Sequence, residues 1–186
     1  MTLEQAIKQT LALIEELDES GDAFTSDPDI EAKIKGVVHQ VQMELSRIKK
    51  IPRYLERHIS AGEVITFGDI KDQIGKAVYQ LDKVGGIDYR LLASGTVIKA
   101  EESGTVEIEC FVYPDPITEE TDMEQPLELS EDALSILPYG VAADLLKSDV
   151  SSGYGKVYAE RYNEAKMQLD IRYNTGSMSV EGGVAI

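Results

Sequence analysis

Cysteine and tryptophan are almost missing from this sequence, whose 186 residues include one Cys and no Trp. The single thiol, Cys110, excludes an intrachain disulfide and a zinc site built on several cysteines. The lack of tryptophan removes a residue that is common in sugar-binding clefts. The chain also lacks a Gly-x-Ser-x-Gly elbow, a Gly-rich phosphate loop and a dinucleotide fingerprint, so no catalytic, metal or cofactor residue is predicted.

Long apolar runs are absent too, and none approaches the ~20 residues needed to cross a bilayer, so we expect no membrane contact. The start, "MTLEQAIKQTLALIEELDES", carries acidic residues where a signal peptide has an uninterrupted apolar run. We therefore expect an intracellular site of synthesis. The 42% hydrophobic and 28% charged fractions are those of a folded domain with a core of its own.

Basic residues are scarce, with 18 Lys and Arg against 34 Asp and Glu, and the formal net charge is −16. No Lys or Arg lies between Lys99 and Lys147, although many acidic residues do. A chain this acidic repels nucleic-acid phosphates, because non-specific affinity for them depends on Lys and Arg. The acidic stretch is either a solubilising face with a solvated linker or a surface that must not adhere to a polyanion.

Two segments near the start repeat apolar residues at helical spacing and predict an antiparallel pair of helices over 2–18 and 28–50. Asp27 can cap the second helix, and Pro28 suits its first position. A Lys-Lys pair suits its negative end, and Pro52 stops it. The repeating positions are Leu3, Ile7, Leu11, Ile14 and Leu17, then Ile30, Ile34, Val37, Val41, Leu45 and Ile48.

The stretch 53–114 differs in its residue pattern and consists of short β-branched and aromatic runs separated by glycines. This spacing predicts an inserted antiparallel β-meander or small sandwich. "VEIECFV" alternates cleanly, so Cys110 is interpreted as a small core residue of a strand rather than a reactive thiol. Its predicted inward positions are Val106, Ile108, Cys110 and Val112, and its outward positions are Glu107 and Glu109.

A proline-bounded acidic connector over 115–129 leads back to two predicted helices, 130–147 and 154–173. Ser130 can cap the first of them. Pro138 either kinks this helix at Leu137 or opens a new one, and we favour a new helix that packs on the last one. The predicted packing residues are Leu137, Val141 and Leu145 on one helix and Tyr158, Tyr162 and Leu169 on the other.

The predicted order is two helices, a strand block, two helices and a flexible tail over 174–186. The fold class is therefore α+β, a small α-helical bundle with an inserted antiparallel β unit, in one domain over 1–173. Tyr173 would extend Tyr158 and Tyr162 into an aromatic seam.

The residues that could in principle carry chemistry are better explained by structural roles. His39 and His58 stand in no metal-ligand spacing, so surface or structural roles are favoured for both. The "DPITEETDME" stretch lacks the spacing of a calcium loop. Acid pairs abound, but nothing selects one, so the chain is not predicted to be an enzyme. A small hydrolase with a carboxylate pair and an acidic DNA mimic or regulatory interaction protein stay open as alternatives.

Both helical ends resemble the head–tail connector (adaptor) proteins of tailed bacteriophages. The similar segments are "TLEQAIKQTLALI", "DPDIEAKIKGVVHQVQMELSRI" and "LPYGVAADLL…YAERYNEAKMQL". In that family a helix that starts at such a Leu-Pro packs against a final helix holding a Tyr-x-x-x-Tyr pair, here Tyr158 and Tyr162. The resemblance covers a little over half of the chain.

The resemblance implies a structural virion protein of the neck, made in the host cytoplasm. Its subunits form a ring, usually of twelve, beneath the portal protein, extend the DNA channel and support a tail-side neck or completion protein. An acidic channel wall would let DNA pass without specific binding. The tail would dock on the portal or be a plain disordered terminus. Its candidate anchors are Met178, Val180, Val184 and Ile186.

Overall fold

The computed structural model describes residues 1–16, 21, 23, 25–148 and 153–174, with only the backbone given for 148 and 170–174. It is an α+β fold with antiparallel sheets, which confirms the predicted fold class. The helices are α1 (Leu3–Leu13), α2 (Pro28–Glu31), α3 (Ile34–Ile48), α4 (Phe67–Ile74), α5 (Glu131–Leu145) and α6 (Tyr154–Asn174). The strands are β1 (Ile51–Ile59), β2 (Val64–Thr66), β3 (Val78–Gly85), β4 (Tyr89–Leu92), β5 (Val97–Ala100) and β6 (Gly104–Val112).

Helix α1 begins at a capping box, because the Thr2 side chain accepts from the Gln5 amide while the Gln5 side chain accepts from the Thr2 amide. It ends at Leu13, within the described stretch 1–16. Glu15 adopts the left-handed conformation (φ 61°), and the Glu16 amide donates to the Leu11 carbonyl at 2.9 Å. That bond is typical of a Schellman ending. The predicted helix over 2–18 is therefore shorter, and 17–18 lie outside the described residues.

The predicted helix over 28–50 is divided into α2 and α3. Asp27 caps α2 through its carboxylate, which accepts from the Asp29 amide at 2.8 Å. The helix breaks here because the Lys33 amide donates to the carbonyl of Ile30, three residues back, and not to the residue four back as in an α-helix. Helix α3 then ends at Ile48, and Pro52 lies within β1 rather than at the helix end. A proline is tolerated there because β1 is an edge strand.

The middle of the chain forms two three-stranded antiparallel sheets, ordered β1-β6-β3 and β2-β5-β4. The two sheets share one apolar core, in which the inward side chains of β6 alternate as the sequence predicts. The core also takes Ile65 from β2 and Ile98 from β5.

Helix α4 lies inside the β unit, where the sequence predicts only strands. The Thr66 side chain caps it by accepting from the Asp69 amide at 3.2 Å, and Asp69 accepts in return from the Thr66 amide at 2.7 Å. Gly75 ends the helix in the left-handed conformation that glycine adopts without strain. Ile70 of α4 is buried in the core of the β unit, and the partly buried Phe67 and Ile74 pack against that core.

Helix α5 runs without interruption through Pro138, so the prediction of a new helix at this proline is wrong. Pro138 has no amide hydrogen and leaves the Leu134 carbonyl without its usual helical partner. The helix nevertheless continues, because it is the central helix of the bundle and buries Leu137, Pro138 and Val141 against α1, α3 and α6. Ser130 caps it as predicted, accepting from the Ala133 amide at 3.4 Å.

A second apolar core lies between the helices, and polar and aromatic side chains join it to the β unit. Tyr79 on β3 donates its hydroxyl to the Ser46 carbonyl of α3 at 3.2 Å. Its ring lies 4.7 Å from that of Tyr113, over which the Arg47 guanidinium sits at 5.5 Å. The helical bundle and the β unit are therefore held together by specific directional contacts at the end of α3.

Candidate assembly surfaces

The α5–α6 hairpin depends on a close approach at Gly140. A Cβ atom at this position would lie 2.8 Å from Cε2 of Tyr162 and 2.9 Å from Cγ1 of Val41. Both distances are below normal van der Waals contact, so glycine is what lets α6 and α3 touch α5 at the same level. Of the predicted packing residues, Leu137, Val141, Tyr162 and Leu169 are buried, and Leu145 and Tyr158 are half-buried.

Tyr158 and Tyr162 of α6 contact different helices. The Tyr158 hydroxyl donates to the Leu13 carbonyl at the end of α1, and its ring lies 6.4 Å from that of Tyr139. The Tyr162 hydroxyl instead donates to Oε2 of Glu44 on α3 at 3.0 Å. Burial, followed by the Glu44 carboxylate, raises the pKa of Tyr162 well above its usual value. The side chain of Tyr173 lies outside the described residues.

The outer face of α6 is open to solvent over its described length and carries large apolar side chains. Tyr154 is 62% exposed and Met167 is 67% exposed, with Val157 also on the surface. Charged neighbours such as Arg161 separate them, so the face is mixed rather than a continuous apolar patch. The predicted tail anchors, Met178, Val180, Val184 and Ile186, lie outside the described residues.

Strand β4 forms one edge of its sheet, and all of its residues are exposed. Leu91 pairs with Ile98, which is buried, and side chains of directly paired residues lie on the same face of a sheet. Leu91 therefore points toward the core side, yet it is 46% exposed. The core of the β unit therefore does not extend to this edge.

A basic groove of about 450 Å³ lies where α3 passes into β1. We use this name for the surface formed by Lys49, Lys50, Ile51, Pro52, Arg53, Glu128, Leu129 and Ser130. Lys50 donates to Oε1 of Gln80 at 3.2 Å and lies 4.5 Å from the ring of Phe111, which holds its ammonium group at the surface. Among the described residues, Glu128 is the one acid that lines the groove, and Lys76 contacts its carboxylate at 2.7 Å.

The acidic connector runs out along α3, from the end of that helix to its beginning. Tyr113 accepts from Arg47 at 3.2 Å, near the end of α3. Two turns earlier along the helix, Nδ1 of His39 accepts from the Ile117 amide at 3.4 Å. At the start of the helix, Nζ of Lys35 donates to the Glu119 carbonyl at 2.7 Å.

The connector then turns and returns past the start of α1. The Leu3 amide donates to the Gln125 carbonyl at 3.0 Å, and the Leu127 amide donates to the Met1 carbonyl at 3.0 Å. The turn itself carries four exposed acidic side chains and is called the acidic turn below. Its members are Glu119, Glu120, Asp122 and Glu124.

The basic groove is a feature that sequence reasoning missed. Lys49 and Lys50 were assigned only to the negative end of a helix. The signal was present, since "RIKKIPR" over 47–53 holds four of the 18 basic residues of a strongly acidic chain and no acid. What the sequence did not reveal is that 128–130 return to the same place and form the opposite side of the groove.

The other residues considered for chemistry are His39, His58 and Cys110. Their contacts indicate a structural role or reveal no role. His39 is the hydrogen-bond acceptor described above, and His58 is exposed on β1. Burial raises the pKa of the Cys110 thiol, and Arg53 offsets this in part. Among the described residues, no group of three or more His, Cys, Asp or Glu side chains is placed to hold a metal ion. No helix within these ranges has the length and hydropathy needed to cross a bilayer.

Comparison of the chain with protein-family models gives no match, and comparison with curated proteins gives none either.

Proposed function

We propose that this chain is a structural virion protein, the head–tail adaptor of a tailed bacteriophage. The observation that carries the proposal is the α5–α6 hairpin. The Leu-Pro segment and the Tyr-x-x-x-Tyr pair, on which the resemblance depends, lie on two helices in direct contact, although Leu137 and Pro138 stand inside α5 and not at its start as in that family. Both belong to one bundle with the N-terminal helices, and the β unit is inserted between the two halves of that bundle.

In this role the chain forms a ring, usually of twelve subunits in such adaptors, beneath the portal protein. The ring extends the DNA channel and presents its other side to a tail-side neck or completion protein. The mixed outer face of α6 supports this role. Large side chains such as Tyr154 and Met167, set among charged residues, suit a contact made after folding rather than a permanent core.

DNA is expected to pass through this ring without specific binding. The net charge of −16 makes a phosphate backbone an unfavourable neighbour over most of the surface. Exposed acids occur in both parts of the fold, for example Glu107 and Glu109 on β6 and Glu119 in the connector. A channel wall lined by such side chains lets DNA slide, because carboxylates repel its phosphates.

The chain docks on the portal through its C-terminal tail. Helix α6 carries the chain to Asn174, and the tail follows directly. A terminal segment with spaced apolar residues can bind an extended groove on a partner, and in this tail those residues alternate with small or polar ones.

A pull-down with the portal protein encoded in the same phage genome tests this docking. We expect the full chain to bind the portal and a variant ending at Asn174 to lose binding. A full-length variant with Ser at the four anchors should lose binding as well, while its matched control, Ser177→Ala with Ser179→Ala, should keep it. If the truncated variant bound as well as the full chain, docking through the tail would be wrong. If the full chain did not bind, the result would contradict the adaptor proposal. The anchors changed are Met178, Val180, Val184 and Ile186.

A further inference from the structure

The basic groove is a concentration of positive charge on a strongly acidic molecule. Lys49, Lys50 and Arg53 line it, and Arg47 lies on the last turn of α3 beside them. Among the described residues, the three basic lining side chains share the groove with one carboxylate, that of Glu128, so the lining carries an excess of positive charge.

Acidic groups also border Arg53 on its far side, where a neighbouring cleft holds Asp82 and Glu109. Lys76 contacts both Glu128 and Asp115, so one ammonium group is shared between two carboxylates. The groove lining, with Lys49, Lys50 and Arg53 against Glu128, still holds more basic than acidic groups among the described residues. A half-buried cationic groove of this kind fits an acidic peptide segment.

The acidic turn has that chemistry and lies at the other end of the same helix. Lys35 holds the turn at the start of α3, and Lys49 follows the end of α3. At 1.5 Å per residue, these two positions are about 20 Å apart along the helix axis. Met123 lies among the acids of the turn in the chain but packs against the helical core, so the exposed carboxylates are the groups that the turn offers to a partner.

One copy cannot bring its own turn to its own groove. The turn is fixed on the bundle by backbone hydrogen bonds, from Leu3 to Gln125 and from Glu4 to Met123, as well as by Lys35. We infer that the basic groove of one copy receives the acidic turn of a second copy of this chain.

Such a contact joins two different surfaces and is therefore heterologous. A heterologous contact repeats from copy to copy, and it forms a ring if the rotation closes or a filament if it does not. This contact adds to the proposed function the surfaces that join neighbouring subunits. That the repeated contact closes into a ring rests on the proposed function.

The contact is expected to be weak in isolation and sensitive to salt. A contact made by one turn in one groove is expected to bury well under the roughly 1,200–2,000 Å² of surface that a stable interface buries. The charges involved are only half-buried or exposed, so salt screens their attraction. Subunits should therefore associate at high protein concentration and low ionic strength.

Zero-length cross-linking detects the contact even when it is weak. Copies labelled with ¹⁴N and ¹⁵N are mixed at high concentration and treated with a carbodiimide, which joins a lysine amine to a carboxylate. We expect mixed-label peptides that link Lys49 or Lys50 to the acidic turn. Their absence, or cross-links found only between residues of one label, would overturn the inference.

A charge swap gives the decisive result. The groove variant carries Lys49→Glu, Lys50→Glu and Arg53→Glu, and the turn variant carries Glu119→Lys, Glu120→Lys and Asp122→Lys. We expect each variant alone to lose association about tenfold or more, which corresponds to the loss of one to two favourable charge contacts. Mixed together, they should recover it, because each groove then meets a turn of opposite charge.

A matched control has the same change in net charge away from the groove, with Lys71→Glu, Lys83→Glu and Lys156→Glu at exposed positions. It should associate like the unchanged chain, and the unfolding midpoints of all variants show whether each still folds. Failure of the mixture to recover association, or binding of a short DNA duplex by the groove instead, would contradict the contact. Portal binding by the full chain stays a separate result, so failure of the contact and failure of the adaptor proposal are distinguishable.

Discussion

Gly140 is the residue on which the packing of three helices depends most directly. Val41 of α3 and Tyr162 of α6 approach its Cα from two sides, at distances that leave no room for a methyl group. Neither neighbour is the free end of a flexible side chain, because both are buried. A larger residue would therefore separate the helices rather than displace a side chain into solvent.

Replacing Gly140 with Ala is expected to lower the free energy of unfolding. Overpacking costs about 1–3 kcal/mol, and the better helix propensity of alanine offsets up to about 1 kcal/mol of it. Urea unfolding monitored by circular dichroism measures the difference. Gly36→Ala is the matched control, since a Cβ there meets nothing within 4 Å, and it should raise the free energy of unfolding by roughly 0.5–1 kcal/mol. A stabilised Gly140→Ala variant would contradict this account of the hairpin.

Several residues have roles that the sequence predicts because their chemistry is local. Asp27 and Ser130 both accept hydrogen bonds from the helices that follow them, as capping residues do. Cys110 is buried in alternation with its neighbours on β6. Glu15 and Pro138 could not be placed in this way. The first is left-handed without being glycine, and the second stays inside a helix because tertiary packing outweighs its lost hydrogen bond.

At the scale of elements, α6 is attached to α3 by one buried hydroxyl and one ion pair. Tyr162 donates to one oxygen of Glu44, and Nζ of Lys166 lies 2.7 Å from the other. The raised pKa of Tyr162 means that the folded state keeps this proton where the unfolded chain releases it, above about pH 10. The unfolded state then binds fewer protons, so the free energy of unfolding falls as the pH rises.

The expected loss from Tyr162 is about 1.4 kcal/mol per pH unit above about pH 10. Tyr162→Phe removes this contribution. The free energy of unfolding of the variant should therefore fall less steeply above about pH 10 than the free energy of unfolding of the unchanged chain. Urea unfolding at a series of pH values measures both slopes. Tyr89→Phe, on the exposed strand β4, is the control and should leave the slope unchanged. Equal slopes for Tyr162→Phe and the unchanged chain would show that the α6 contact does not depend on this proton.

The order of the N-terminal helices, the β unit and the C-terminal helices follows from the sequence, whereas α4 and several boundaries do not. The helical repeat of apolar residues identifies α1, α3 and α6, because one face of each helix is buried over several turns. Helix α4 was missed because its capping residue, Thr66, belongs to a β-branched run that is equally typical of a strand. The groove was missed because its two sides, 49–53 and 128–130, are far apart in the chain.

At the scale of the whole molecule, charge is distributed unevenly rather than merely in excess. The basic groove lies at one end of α3 and the acidic turn at the other, while the outer face of α6 is mixed. The helical core and the β core meet at the basic end, through Arg47, Tyr79 and Tyr113. A molecule with different surfaces at two ends suits head-to-tail assembly.

Electron cryo-microscopy of the full chain mixed with the portal protein of the same phage tests the central proposal most directly. We expect a closed ring of this chain beneath the portal, coaxial with its channel, with the groove of each subunit against the acidic turn of the next. A portal without added density, or with copies bound singly and out of contact with one another, would contradict the proposal.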